Sequence, residues 1–321
     1  MKKMSVTVVW LIIILLFSTG AFAKSNNGKK ILYVDSYHEG FPWSDIILKT
    51  IKNLLQDTDI EFKSFRMDTK RNADEAFKEK AALKVKELID QFRPDVVIAS
   101  DDNASKYVIV PYYKNADLPF VFCGVNWDAS TYGFPFKNVT GMIEVAPVLQ
   151  LLEYLKIYAK NNRIGYLSGD RFTAKKEVEY YKKIFNIEVI AHYAKSFDDW
   201  KEGFTRLQNE SDMVILYDEA GIPDWDEKKA IAFAEANTKV PTGAVLEWMS
   251  KYALISFSKL AEEQAEWSTK TALQILNGTA PAGIPIVRNE RGKLIINTRI
   301  AKSIGADIPF EVMEAADRII E

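Results

Sequence analysis

Two similar α/β lobes, each a parallel sheet with helices on both faces, are what this sequence predicts. Three observations carry that reading. Short apolar, β-branched runs alternate with amphipathic stretches from residue 31 to residue 257, and repeated βα units with short connections require parallel strands covered by helices. The alternation falls into two runs of similar length, about 30–140 and 145–255. A length of 321 residues matches about two domains at ~150 residues each.

The elements follow in order. Residues 31–36 (ILYVDS) read as a buried strand ending in a polar loop. Over 43–55, Trp43, Ile46, Ile47, Ile51, Leu54 and Leu55 share one helical face. The β-branched and aromatic stretch 60–65 is a strand, and 72–92 a long helix. Pro94 ends that helix, and 95–100 (DVVIAS) is a third strand. A partial helix over 102–113, interrupted by Pro111, precedes a fourth strand at 119–123. In the second run, helices at 148–158, 173–185, 197–208 and 226–237 alternate with strands at 163–167, 187–193 and 213–217. Weaker strands stand at 241–245 and 253–257, then a long helix spans 260–276. The tail holds strand-like 284–287 and 294–296 and a short helix from Thr298. The seam at 138–147 follows from counting units, because no linker composition marks it.

The N-terminus has the order of an export signal. Met1-Lys2-Lys3 is a basic start, Val8 to Phe17 are apolar, and Ala21-Phe22-Ala23 is an A-x-A cleavage site. An uncleaved membrane anchor is the competing reading, since residues 4–23 carry no charge. The expected signal is 1–23 and the expected linker 24–30 (KSNNGKK). Cleavage takes 23 residues from 321 and leaves 298; it removes two Lys and no acid, so the net charge moves from −2 to −4.

Composition excludes much. A chain 48% hydrophobic and 27% charged is neither disordered nor a multi-span membrane protein. Its acidic balance argues against a nucleic-acid partner, which calls for a basic surface. One cysteine, Cys123, and two histidines, His38 and His192, leave no disulfide and no Cys- or His-rich metal site. P-loop, GxGxxG, GxSxG and HExxH patterns are missing. The expectation is therefore a binding protein with no catalytic residues, no metal and no cofactor.

In parallel sheets ligands bind beyond the carboxyl ends of strands, so those loops supply the candidates. The first carries Ser36, Tyr37 and His38; the third carries Ser100, Asp101 and Asn103 ahead of a helix N-terminus; the fourth carries Asn126. The second run offers Ser168 and Arg171, then Tyr217 and Asp218, then Glu247. Helix capping competes as a role for Asp101 and Ser168. His192, inside a strand, and Cys123, at a strand end, read as packing residues.

Four short motifs in order, SYHEGFPWS (36–44), MDTKR (67–71), SDDNA (100–104) and FCGVN (122–126), resemble the substrate-binding proteins of ABC transporters in the type I periplasmic-binding-protein class. Closely similar domains serve as extracytoplasmic sensors for histidine kinases and diguanylate cyclases. The resemblance implies two hinge-linked Rossmann-like lobes with ligand in the cleft and a chain that crosses between them. Lobe 1 is then 31–143 plus about 258–283, and lobe 2 is 144–257 plus about 284–321. It also implies an extracytoplasmic (periplasmic) monomer that takes a small-molecule ligand and docks on a membrane ABC permease. The alternative is a sensing subunit for a membrane kinase or cyclase; a chain that stops at Glu321 with no transmembrane helix or enzymatic domain after the binding domain is expected to be a free binding protein or a separate sensing subunit. Mixed aromatic and charged candidates suit a zwitterion such as an amino acid. Arg171 or a helix N-terminus is expected to hold a carboxylate, Asp218 or Glu247 an ammonium, and Tyr37 or Tyr217 an aromatic ring.

Overall fold

The computed structural model describes residues 28–72 and 74–321. The expected signal peptide and residues 24–27 of the expected linker lie outside the described residues. Lys30, placed in that linker from sequence, is the first residue of a strand.

Strands β1 (Lys30–Asp35), β2 (Glu61–Arg66), β3 (Val96–Ser100), β4 (Phe120–Asn126) and β5 (Val139–Glu144) form one all-parallel sheet in the order β5-β4-β3-β1-β2. The chain then builds a second sheet from β6 (Ile164–Gly169), β7 (Ile190–Ala194), β8 (Met213–Leu216), β9 (Thr242–Ala244) and β10 (Ile255–Lys259). It returns through the helix Ala261–Leu276 to β11 (Val287–Arg288), which pairs in parallel with β5. It crosses once more to β12 (Gly292–Asn297), antiparallel to β10, and β13 (Arg318–Ile320) closes that edge. Residues 284–321, all expected in the second lobe, are thus divided: β11 belongs to the first sheet because its backbone completes the open edge of β5.

Each sheet is apolar on both faces, as parallel strands between helices must be. One face of the first sheet packs Leu32, Val97 and Phe122 against Ala82, Val85 and Ile89 of the helix Glu75–Phe92. The other packs Ile31, Tyr33 and Val121 against Ile47 and Ile51 of the helix Pro42–Leu55 and against Ala261, Ala265 and Ala272. Small residues along that last helix let it lie close to the sheet. Leu54, expected on the buried face, is 37% exposed because the apolar stripe passes through Ile47, Ile51 and Leu55. The second sheet packs Tyr166, Val214 and Ile255 within a large cluster around Trp200 and Phe204.

Two local expectations change. The helix from Asp101 does not break at Pro111. It widens into a π-helical turn, Ser105–Ile109, where the Val110 N–H donates to the Ser105 carbonyl, and a last turn Val110–Tyr112 follows. Proline lacks an N–H and its ring crowds the carbonyl four residues back; the wider turn makes room for it. Strand β5 was expected only as a seam. Gly141 interrupts its apolar run, and a Cβ there would lie 2.3 Å from the Phe122 ring.

The crossing segments are tied together. The Val145 N–H donates to the Asn289 side-chain oxygen (2.8 Å), and the Asn289 amide donates back to the Val145 carbonyl (3.1 Å). The buried Glu263 carboxylate accepts from the N–H groups of Glu290 (2.9 Å) and Arg291 (3.0 Å). No helix among the described residues is long and apolar enough to cross a membrane.

Candidate functional site

Parallel pairing brings the carboxyl ends of the first five strands to one edge, with Asp35, Arg66, Ser100, Asn126 and Glu144 at their last positions. Gly169, Leu216, Ala244 and Lys259 end β6, β8, β9 and β10 on the corresponding edge of the second sheet. The two edges meet near the crossing segments. The Lys259 ammonium pairs with the Glu144 carboxylate. The Trp127 indole N–H donates to Glu177 Oε2 (2.7 Å), and its ring stacks on Tyr180, both on the helix Phe172–Phe185. Lys183 Nζ lies 2.6 Å from Asp128.

These contacts border a cavity of about 350 Å³. Asp102, Asn126 and Trp127 line it from the first lobe; Thr173, Lys176, Glu177, Tyr217 and Lys259 line it from the second. The Asn126 amide donates to Asp102 Oδ2 (2.7 Å) and the Tyr132 hydroxyl to Asp102 Oδ1 (2.8 Å), which fixes that carboxylate. Phe172 and Thr173 also line the cavity, at the first turn of a 14-residue helix whose N-cap, Arg171, gives no side-chain cap. Free N–H groups at such a turn favour anions.

Burial sets the electrostatics. Glu177 is 2% exposed, and desolvation pushes its carboxyl up to about 7, with Lys259 and the Trp127 bond opposing. Desolvation, then the neighbouring Glu144, pushes Asp101 well above the usual carboxylate range. Lys259 is held above the ordinary lysine value: burial opposes its charge, but Glu144, Glu177 and Asp101 together outweigh burial. Asp101 sits in the left-handed region (φ 67°) beside Gly124 (φ 72°), whose absent Cβ would come 3.1 Å from Asp101 Oδ1. Only glycine enters that region without penalty, so the two loops nest because one of them is glycine.

The sequence candidates separate into groups. Asn126 and Tyr217 line the cavity, and Tyr217 stacks on Tyr166 at 5.5 Å. Tyr37 and Asp101 are not among the lining residues; burial, then Asp101, raises the Tyr37 hydroxyl's pKa well above the ordinary value. His38 Nδ1 is buried without a hydrogen bond, 3.8 Å from Asp68. Ser36 and Ser100 serve the scaffold. Ser36 Oγ donates to the Ser100 carbonyl (2.6 Å) and accepts from the Ala104 N–H (2.8 Å), and Ser100 Oγ meets the Tyr33 hydroxyl (2.9 Å). The Asn103 amide donates to Thr69 Oγ1 (2.8 Å), and Ser168 Oγ donates to the Asp218 carbonyl (3.2 Å). Asp218 Oδ1 accepts from the Ala220 N–H (3.1 Å). Arg171 is exposed, its side chain lying over Gly221. Glu247, expected to hold an ammonium, pairs with Lys293 (2.8 Å) and Arg318 (3.2 Å) and is not among the residues that line the cavity.

Trp127, Glu144, Glu177 and Lys259 were not among the candidates. Trp127 directly follows FCGVN, and Lys259 ends the strand ISFSK at its carboxyl end, so both carried a signal. Glu177 carried another. It shares the buried face of its helix with Ala174 and Tyr181, at spacings of three and four, where an acid is out of place unless it has a task.

A family model described as ABC transporter substrate binding protein matches residues 41–320. A substrate binding protein with adhesive properties from Clostridium difficile, solved ligand-free and open, is similar at 19% identity and TM-score 0.70, over 91% of this chain and 99% of that one. The ABC domain from Streptococcus pneumonia in complex with L-Trp matches at 19% identity and TM-score 0.54, over 91% and 99%. A periplasmic ribose ABC transporter from Conexibacter woesei matches at 16% identity and TM-score 0.55, over 90% and 98%. At these identities the likeness is one of fold. No curated protein matches the chain.

Proposed function

This chain belongs to the ABC transporter substrate-binding protein family, and we propose that it captures an amino acid in its interlobe cleft, outside the cytoplasm, and delivers it to a membrane ABC permease. The observation that carries the reading is the composition of the cavity wall. Trp127 and Tyr217 offer aromatic faces, Asp102 and Glu177 offer carboxyls, and Lys176 and Lys259 offer cations, all around about 350 Å³. A zwitterion with a side chain uses all three kinds of surface. Relatives of this fold include an L-Trp complex and a ribose transporter, so the fold does not select the ligand and the wall does.

The roles proposed from sequence shift accordingly. Of the two carboxylate sites expected from sequence, the helix N-terminus is preferred to Arg171: the first turn of the helix Phe172–Phe185, with Lys176. The ammonium goes to the acids of the wall, in place of Asp218 and Glu247. Ligand contacts to both lobes favour their approach, because only that arrangement offers every contact at once. No bond to the ligand is made or broken, and the site needs no nucleophile.

Native mass spectrometry of freshly purified protein, followed by thermal-shift measurements with the proteinogenic amino acids and common sugars, tests this. A retained or stabilising amino acid supports it. A sugar as the retained species, or no shift with any amino acid, overturns it.

A further inference from the structure

We propose that Glu177 is the anchor for the ligand's ammonium group and that it gives up a proton to the solvent when the ligand binds. The proposal rests on the amino-acid reading above and deepens it.

Glu177 points from the helix Phe172–Phe185 into the seam between the lobes and lines the cavity. One oxygen, Oε2, accepts from the Trp127 indole. The other, Oε1, is buried and makes no hydrogen bond of good geometry, with the Tyr181 hydroxyl beside the carboxyl. A carboxylate offers about four acceptor positions, and buried polar atoms are nearly always satisfied. A carboxyl oxygen with acceptor capacity to spare, on a residue that lines the cavity, is a place prepared for a donor.

No cation is bonded to it: Lys176, on the same wall, lies over the Trp127 and Tyr180 rings, and Lys259 acts on it only at a distance. Lys259, at the end of β10, already pairs with Glu144 at the end of β5. Tyr217 beyond β8 and Tyr166 on β6 bring rings and hydroxyls. The Tyr181 hydroxyl, one turn along the same helix, lies beside the Glu177 carboxyl, makes no hydrogen bond of good geometry, and is a neutral donor that brings no charge. Asp102 across the cavity is a further acid, held by Asn126 and Tyr132. One ammonium, Lys259, therefore faces three buried acids, Glu144, Glu177 and Asp101, and a ligand ammonium, with three donors, is the missing complement.

The proton balance follows. With the cavity empty, Glu177 titrates at about 7 and is mainly neutral below that pH. When the ammonium docks on Oε1, the carboxyl ionises, the carboxylate–ammonium pair forms, and the proton leaves to solvent. Trp127 comes from the other lobe and orients the carboxyl, so the anchor is complete only where the lobes meet.

The experiment screens the twenty L-amino acids by thermal shift. The strongest binder is then titrated calorimetrically near pH 6 and near pH 8.5, each in two buffers of different ionisation enthalpy. Wild type is expected to release close to one proton per ligand near pH 6 and close to none near pH 8.5. Glu177→Gln keeps the Trp127 bond and the volume. It is expected to fold normally by circular dichroism, to release no proton, and to bind about 10- to 100-fold more weakly, the range for a charged hydrogen bond. Equal affinity, or equal proton release, in wild type and Glu177→Gln overturns the proposal alone. If no amino acid stabilises the wild type, the amino-acid reading fails and this proposal falls with it.

Discussion

Trp127 and Tyr180 stack with ring centroids 5.1 Å apart and planes 12° apart, although one follows β4 of the first sheet and the other lies on a helix of the second lobe. The contact joins the lobes where they bound the cavity. Trp127 has φ 59°, a conformation that a bulky residue adopts only when its surroundings hold it there. Its backbone N–H donates to the Glu144 carbonyl (3.0 Å) and its indole to Glu177.

Trp127→Phe is therefore expected to keep the stack and lose the indole donor, while Trp127→Ala loses both. A stacked pair contributes about 0.5–1.5 kcal/mol beyond burial, and a hydrogen bond to a charged group about 1.5–3 kcal/mol. Ligand affinity is expected to fall in the order wild type, Phe, Ala, with a smaller change in urea midpoint than in affinity. Calorimetry and urea denaturation on the three proteins check this. An Ala variant that binds like wild type removes Trp127 from the site.

Lys259 and Glu144 make the second bridge. Glu144 is 6% exposed, so removing its partner strands a buried charge. Lys259→Met is expected to destabilise the protein by about 3 kcal/mol. Adding Glu144→Leu is expected to restore part of that loss, because two apolar side chains replace a buried pair at little net cost. Chemical denaturation of the single and double variants reads the difference. A double variant less stable than Lys259→Met contradicts the pairing.

Sequence periodicity reached most of the fold, because buried parallel strands are continuous apolar runs and their covering helices carry one apolar stripe. Val96–Ser100 and Pro42–Leu55 both read directly in that way. What it could not read was set by tertiary contact. Asn126 and Tyr217 were legible as cavity residues because strand ends are where ligands bind. Glu177 and Lys259 were not, since their roles depend on how two sheets are placed against each other. Ser36 and Ser100 looked alike to Asn126 in sequence, yet the structure uses their hydroxyls to bind the loops together.

Gly141 shows why β5 escaped notice, and it yields a test of packing. A Cβ at residue 141 would lie 2.3 Å from the Phe122 ring, and Phe122 is 0% exposed and stacked on Phe134. The ring cannot move without displacing its neighbours, so Gly141→Ala is expected to cost about 1–3 kcal/mol by overpacking. Gly283→Ala, where nothing lies within 4 Å of the added carbon, is the control and is expected to be near neutral. Equal melting temperatures for the two variants would contradict the close approach.

The buried carboxyls also fix how stability depends on pH. Glu177 is raised in the folded protein, to about 7 from an ordinary 4.5, so the folded state holds more protons than the unfolded state between those values. Its contribution is fully present below about 4.5 and is lost as pH rises through about 7; the loss is on the order of 3 kcal/mol. Asp128 shifts the other way, lowered to about 2 by Lys183 across the cleft. Its contribution is present above its unfolded value and is lost as pH falls through about 2. The two together place maximal stability in mildly acid solution, near pH 5. Melting temperatures from about pH 3 to 9 are expected to decline on the alkaline side, and Glu177→Gln to flatten that decline between about pH 5 and 8. An unchanged alkaline limb in the variant shows that some other group carries the loss.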